Sequence, residues 1–174
     1  NGQGTMVMGE VGYRLKAGDG DGLPGMYKLG AWHHTAQFDD FGGGSAHGGN
    51  QGVYASAEQM VYNEYGDQGL SLFARVGFAP EDRSEVANSF QVGLSYTGLL
   101  PNRDIDTIAL GVSHASISDD LPGRTTETAI ELGYEYVMSD DFTIQPSAQW
   151  IRDPGATGEL DDALVFGLRV NLGF

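Results

Sequence analysis

The sequence has no cysteine, and its 9 Lys and Arg are far outnumbered by 24 Asp and Glu. Without cysteine there is no disulfide framework, no thiolate metal site and no cysteine nucleophile. A formal net charge of −15 leaves no basic footprint for phosphates, so a nucleic-acid partner is not expected. Long apolar runs are missing as well, since no stretch approaches the roughly 18 residues of a membrane helix. There is no secretory signal at the start, and Asn1 opens in mid-pattern, so a mature or truncated product is expected. No segment holds a helical apolar period over three turns.

What is present is alternation with a period of two, broken by clusters of Gly, Asp, Asn and Pro. Nine strands are predicted, over 5–15, 25–38, 51–63, 69–79, 87–98, 105–118, 125–138, 141–152 and 162–174. They are longer than typical soluble strands and match the roughly 9–11 residues that a tilted strand needs to cross a bilayer. The last strand is the clearest: Leu164, Phe166, Leu168, Val170, Leu172 and Phe174 alternate with Ala163, Val165, Gly167, Arg169, Asn171 and Gly173. A slightly negative mean hydropathy excludes a helical membrane protein but suits a barrel, in which only every second strand residue meets lipid.

Alternation alone would also fit a soluble sandwich. Three features favour the membrane. Aromatics sit near the ends of the apolar faces, as with Phe90 and Tyr96, or Phe142 and Trp150, where rings settle at headgroup level. Strand charges are expected to avoid the apolar face: Glu10, Arg14, Lys28, Glu58, Arg75, Glu131, Glu135 and Arg169 all fall on the polar side. A mid-bilayer Lys or Arg would cost about 2–4 kcal/mol. The polar face is rich in small and hydrogen-bonding residues, as a wetted lumen requires. The expected fold is therefore an all-β, antiparallel transmembrane β-barrel. Short turns are expected near 64–68, 99–104 and 139–140. Longer loops are expected near 39–50, 80–86, 119–124 and 153–161, the first of them exposed and flexible. Pro146, inside a strand, predicts a bulge or a weak pairing.

Several apparent motifs lead elsewhere and are set aside. Gly20–Gly25 has the spacing of a dinucleotide fingerprint, but Pro24 and the strand after it deny the helix that motif needs. Asp19 and Asp21 resemble the start of a calcium loop whose later ligands are missing. Ser45 and His47 lie in a Gly-rich loop without a nucleophile elbow, and adjacent His33 and His34 point to opposite faces. His114 reads as an interfacial histidine on the apolar face. No catalytic residue, metal site or cofactor is expected.

The residues expected to line a lumen are Lys28, Trp32, His34, Glu58, Arg75, Glu131, Glu135, Gln145, Gln149 and Arg169. Charged and amide side chains with an aromatic ring suit a neutral sugar, by hydrogen bonding and stacking. The blander reading is a charge-paired wall that only keeps a pore wet.

Separated motifs carry a resemblance. Gly22-Leu23-Pro24-Gly25 with Tyr27-Lys28-Leu29-Gly30 and Trp32, and Phe73-Ala74-Arg75-Val76-Gly77 with Ala79-Pro80 and Asp82-Arg83, are two of them. Gly98-Leu99 with Pro101 and Arg103, Gln145-Pro146 with Gln149, and Ala163-Leu164-Val165 with Gly167-Leu168-Arg169 are others. Together they resemble the C-terminal half of the carbohydrate-selective porins of the OprB family. That resemblance implies a sixteen-stranded barrel in the Gram-negative outer membrane, passing glucose and other mono- or oligosaccharides by passive diffusion. Outer-membrane lipid and a homotrimer would be its partners. The whole of 1–174 would be the C-terminal part of one barrel domain. Nine strands cannot close as an even-numbered barrel, so an open or partial sheet is expected. The alternatives are an outer-membrane barrel used for adhesion or as an anchor, or a small outer-membrane barrel enzyme.

Overall fold

The computed structural model describes residues 3–16 and 22–173, which form one open antiparallel sheet with no helix among them. Its strands are β1 Met6–Leu15, β2 Gly25–His34, β3 Asn50–Asn63, β4 Gly69–Phe78, β5 Val86–Thr97, β6 Thr107–Ile117, β7 Thr126–Ser139, β8 Phe142–Arg152 and β9 Ala163–Leu172. Each pairs with its neighbours in chain order, leaving β1 and β9 as edges. Asp19, Gly20 and Asp21 of the two Gly/Asp motifs lie outside the described residues.

All nine predicted strands are present, and their limits agree closely except in β2. That strand stops at His34, short of the predicted 38: Thr35 N–H still donates to the Thr5 carbonyl, but Phe38 turns to pair with His47. The connections alternate between the two ends of the sheet. One end carries 35–49, 79–85, 118–125 and 153–162, and the other carries 64–68, 98–106 and 140–141, beside Leu15 and Gly25 at the ends of β1 and β2. The short–long alternation is not strict, because 98–106 is longer than 79–85. It is compact nonetheless, since Arg103 and Asp106 fold it onto β7.

Pro146 does not bulge β8. The register with β7 is the same on both sides of it, with Gly133↔Ser147 and Tyr136↔Ile144, but the two intervening pairs are missing. The expected weak pairing is therefore the correct alternative, and the missing N–H faces β7, because Pro146 stays paired with Leu168 of β9. The register shifts fall elsewhere, at Met60/Tyr62, Val86/Asn88 and Val137/Ser139, each close to a strand end. Opposite the first of these, Gly69 has φ +145° and a Cβ there would strike the Tyr62 carbonyl, so glycine is required.

Directly opposed residues share a face, so the register reads as rows across the sheet. One row runs Gln59–Leu72–Leu94–Leu110–Leu132–Ala148–Phe166. Apart from Gln59 the row is apolar, and its apolar residues are not packed away: on interior strands Leu132 is 53 % and Leu72 43 % exposed. The buried apolar set among the described residues is only Ala87, Ile117, Ala129 and Ala156. A sandwich would hide one face against a second layer; this sheet leaves its apolar face bare. Aromatics border that face at both ends. Tyr62 and Tyr96 lie 6.5 Å apart and Tyr134 and Tyr136 6.3 Å apart at one end. Phe90 stacks on His114 at 5.0 Å at the other, and the imidazole shares a 2.8 Å hydrogen bond with Thr128. The charge segregation has one exception: Arg152, opposite Thr128, falls on the apolar face. It is the last residue of β8 and is exposed at that end of the sheet.

Candidate functional site

The period-two backbone carries the site to the other face. Each of the ten expected residues has the parity of the polar rows, so all ten share one side of the sheet. Lys28 lies in the row Gly12–Lys28–Ser56–Arg75–Gln91. Glu58, Glu131 and Gln149 share the row that also holds Arg14, Met26, Phe73, Gly93 and Gly111. Trp32 stands between Met8 and Gly52, and His34 between Met6 and Asn50.

Two groups emerge. On β1–β4, Lys28 Nζ lies 3.0 Å from Glu10 Oε1, and Tyr54 donates its hydroxyl to Glu10 at 2.9 Å. With this trio, Arg75 and Glu58 are among the residues that line an open hollow of about 570 Å³. On β7–β9, the Gln145 amide donates to the Glu135 carboxylate, and Gln145 stands opposite Arg169. Glu131, Ser147 and these three border a second hollow of about 480 Å³. Between the two lies a smaller one of about 300 Å³, lined by Phe73, Gln91, Ser113, Glu131 and Gln149 among others. His34 belongs to none of them. It sits at the end of β2, where Nδ1 accepts from Ala36 N–H and the ring meets Phe38 edge-on.

Three residues of this wall stand outside both the ten expected lining residues and the strand charges assigned to the polar side: Tyr54, Phe73 and Gln91. Parity marks all three. Phe73 is the bulky apolar residue on the polar side of β4, and that misplacement was the available signal. Arg75 holds its guanidinium carbon 5.9 Å from the Phe73 ring centroid.

The loops at one end are tied together rather than free. His47 Nε2 donates to Asp40 Oδ2 at 2.8 Å and lies 3.3 Å from Asp82 Oδ2. Phe41 N–H reaches the Asp82 carbonyl, and Arg83 binds Asp82 through Nε at 2.8 Å. The 35–49 connection is thus anchored to 79–85, contrary to the expected flexible loop, because its glycines let the chain fold back onto these carboxylates. The His47 hydrogen bond, then the Gly44 N–H, hold the Asp40 carboxyl below the usual range. Asp40, His47 and Asp82 each offer one ligand atom, all within 4.8 Å of one another, and those atoms are engaged with each other. Farther along the same end, Asp153 is held low by the Thr125 hydroxyl and the Gly158 N–H. At the opposite end, burial pushes Asp106 up, but Arg103, Tyr134 and the Val137 N–H outweigh it and hold it low overall. The same pair raises Arg103.

Comparison with known proteins agrees with this architecture. Porin B of Pseudomonas aeruginosa is 29 % identical over 209 residues, covering 99 % of this chain and 46 % of that protein. A putative porin, QuiX, of Acinetobacter baylyi is 27 % identical over 100 % of this chain and 46 % of its own length. Among solved structures, Pseudomonas putida OprB at high pH superposes with a TM-score of 0.90 at 30 % identity, over 99 % of this chain and 49 % of that one. The low-pH structure of the same protein gives 0.71 at 29 %. The chain therefore spans about half the length of the relatives it matches. The model of the carbohydrate-selective porin, OprB family, matches residues 1–174, and the chain, with its exposed apolar face and polar wall, belongs to that family.

Proposed function

We propose that this chain is part of the wall of an outer-membrane channel through which sugars such as glucose diffuse passively. The observation that carries the reading is the division of the sheet: exposed Leu, Val and Phe on one face, and all ten hydrogen-bonding or aromatic residues on the other. Hydrocarbon suits the first face and water the second. A sugar entering the lumen exchanges water hydrogen bonds for those of Lys28, Glu58, Arg75, Glu131, Glu135, Gln145, Gln149 and Arg169, with Trp32 as a stacking surface and His34 at the mouth. Each contact has to be weak, because a tight site would stop conduction. No bond is made or broken in the solute, and no cofactor enters the scheme.

The unpaired edges of β1 and β9 and the share of the relatives that is spanned support reading 1–174 as the C-terminal part of one larger barrel domain. Lipid on the apolar face and a Gram-negative outer-membrane location belong to the same proposal. A homotrimer, expected from the resemblance alone, is decided by the mass of the full-length protein in detergent. Liposome swelling tests the function: vesicles holding the full-length protein are expected to admit glucose faster than empty vesicles. Equal rates for glucose and maltose in both would remove the transport reading and leave an adhesive or anchoring barrel.

A further inference from the structure

We infer that Asp40, His47 and Asp82 form a binding site for a divalent first-row transition ion such as Zn²⁺, which clamps two connections together at one end of the sheet. Asp40 and His47 come from 35–49 and Asp82 from 79–85. The backbone brings them to one place. Phe38 and His47 exchange hydrogen bonds of 3.0 and 2.8 Å, so the chain between them doubles back. Within it Gly43, with φ +81°, donates its N–H to the Asp40 carbonyl at 3.1 Å and closes a turn. Phe41 N–H then reaches the Asp82 carbonyl at 2.8 Å, which sets the second connection against the first. All three side chains are half-buried.

A charge-paired latch alone does not account for this set. His47 Nε2 has one hydrogen to give, yet two carboxylate oxygens converge on it, Asp40 Oδ2 at 2.8 Å and Asp82 Oδ2 at 3.3 Å. Arg83 compensates only Asp82, through Nε at 2.8 Å and a terminal nitrogen at 3.1 Å. A third carboxylate, that of Asp120 in 118–125, stands close by: the Cβ position of Gly42 lies 3.3 Å from Asp40 Oδ1 and 3.8 Å from Asp120 Oδ1. Three carboxylates therefore gather around one guanidinium and one imidazole N–H. Like charges held this close disfavour one another, and a dication offsets the excess.

Exchanging that single hydrogen for a metal ion requires little movement. Bonds of roughly 2.0–2.2 Å at tetrahedral angles hold ligand atoms roughly 3.3–3.5 Å apart. Here Nε2 is 2.8 and 3.3 Å from its two oxygens, and all three ligand atoms lie within 4.8 Å of one another. The atoms behind them are already oriented. Asp40 Oδ1 accepts from Gly44 N–H at 3.0 Å and Asp82 Oδ1 accepts from Arg83 Nε, while Arg83 is itself held by the Gly49 carbonyl at 3.2 Å. Ligating carboxylates depend on such outer donors for their orientation. The donor set also selects the ion. Ca²⁺ and Mg²⁺ take cages of oxygen, whereas one imidazole nitrogen with two carboxylates suits zinc and its neighbours, with water completing the coordination.

The test uses the full-length protein in detergent, stripped with EDTA, desalted and titrated with Zn²⁺ alone by isothermal calorimetry. His47→Gln keeps a hydrogen-bond donor beside Asp40 and removes the nitrogen ligand, and unchanged circular dichroism reports an intact sheet. The expected result is one Zn²⁺ per chain that the wild type binds at least roughly tenfold more tightly than His47→Gln. Co²⁺ in place of Zn²⁺ is expected to give visible absorption bands that His47→Gln loses, a signature that a latch of hydrogen bonds does not produce. Equal Zn²⁺ stoichiometry and affinity in the wild type and His47→Gln would overturn the site and leave the latch. Displacement of the bound Zn²⁺ by an equal concentration of Ca²⁺ would overturn the assignment to a transition ion. If His47→Gln loses its strand content, Asp40→Asn carries the same expectations.

Discussion

Asp106 shows how one residue can hold a connection that would otherwise be loose. It is 2 % exposed, takes bonds of 2.6 and 2.7 Å from Arg103, accepts from Tyr134, and caps the Val137 N–H at 3.0 Å. Arg103 in turn lies 4.0 Å from the Tyr136 ring centroid, so a single carboxylate orders the turn and the tyrosines beside it. Its folded pKa is depressed, so its contribution is complete above the ordinary aspartate value of about 3.9 and is lost as pH falls through the folded value. Asp106→Asn, which leaves Arg103 without its counter-charge, is expected to lower stability at pH 7 by about 1–3 kcal/mol. It should also flatten the acid limb of the melting temperature below pH 4. Thermal melts of the detergent-solubilised protein from pH 7 to pH 3 check both. At the other end Ala156, 1 % exposed with φ +53°, marks a second point where the loop backbone is held against its preference.

At the scale of the strand, Pro146 makes the sharpest prediction. It costs β8 one ladder bond toward β7 without disturbing the register, and Gln145 compensates by reaching Glu135 through its side chain. Pro146→Val should restore the bond and raise stability by about 0.5–1.5 kcal/mol, seen as a higher melting temperature with an unaltered strand content by circular dichroism. The nine strands themselves were legible because a period of two survives tilt, twist and bulge alike. Parity alone assigned the face of all ten candidate residues. Grouping was not legible: whether Glu135 meets Gln145 or Lys28 meets Glu10 depends on cross-strand register, which turn lengths and end bulges set. The second strand was overrun because Thr35–Phe38 still alternate in character, while the bond that turns them aside comes from His47. Arg152 escaped the charge rule for a related reason, since parity says which side a residue faces and not how near the water it stands.

For the whole molecule, the division into two faces can be tested by neighbouring positions of β7. Leu132 points to the apolar side and is 53 % exposed, and Gly133 points to the polar side with open space before it. Leu132→Arg is expected to cost about 2–4 kcal/mol near the bilayer midplane, whereas Gly133→Arg should fold normally and alter ion conductance instead. Urea titration in lipid vesicles measures the first, and planar-bilayer recording the second. A reversed order would turn the sheet inside out.

The two bare margins, β1 and β9, also set a rule in time. An unmatched N–H or C=O in hydrocarbon costs several kcal/mol, and each margin presents a full row of them. On the channel reading proposed above, such a wall cannot wait half-built among lipid tails. Pairing of these margins with further strands then has to precede or accompany insertion, which makes closure, and not the arrival of any one strand, the committing event of assembly.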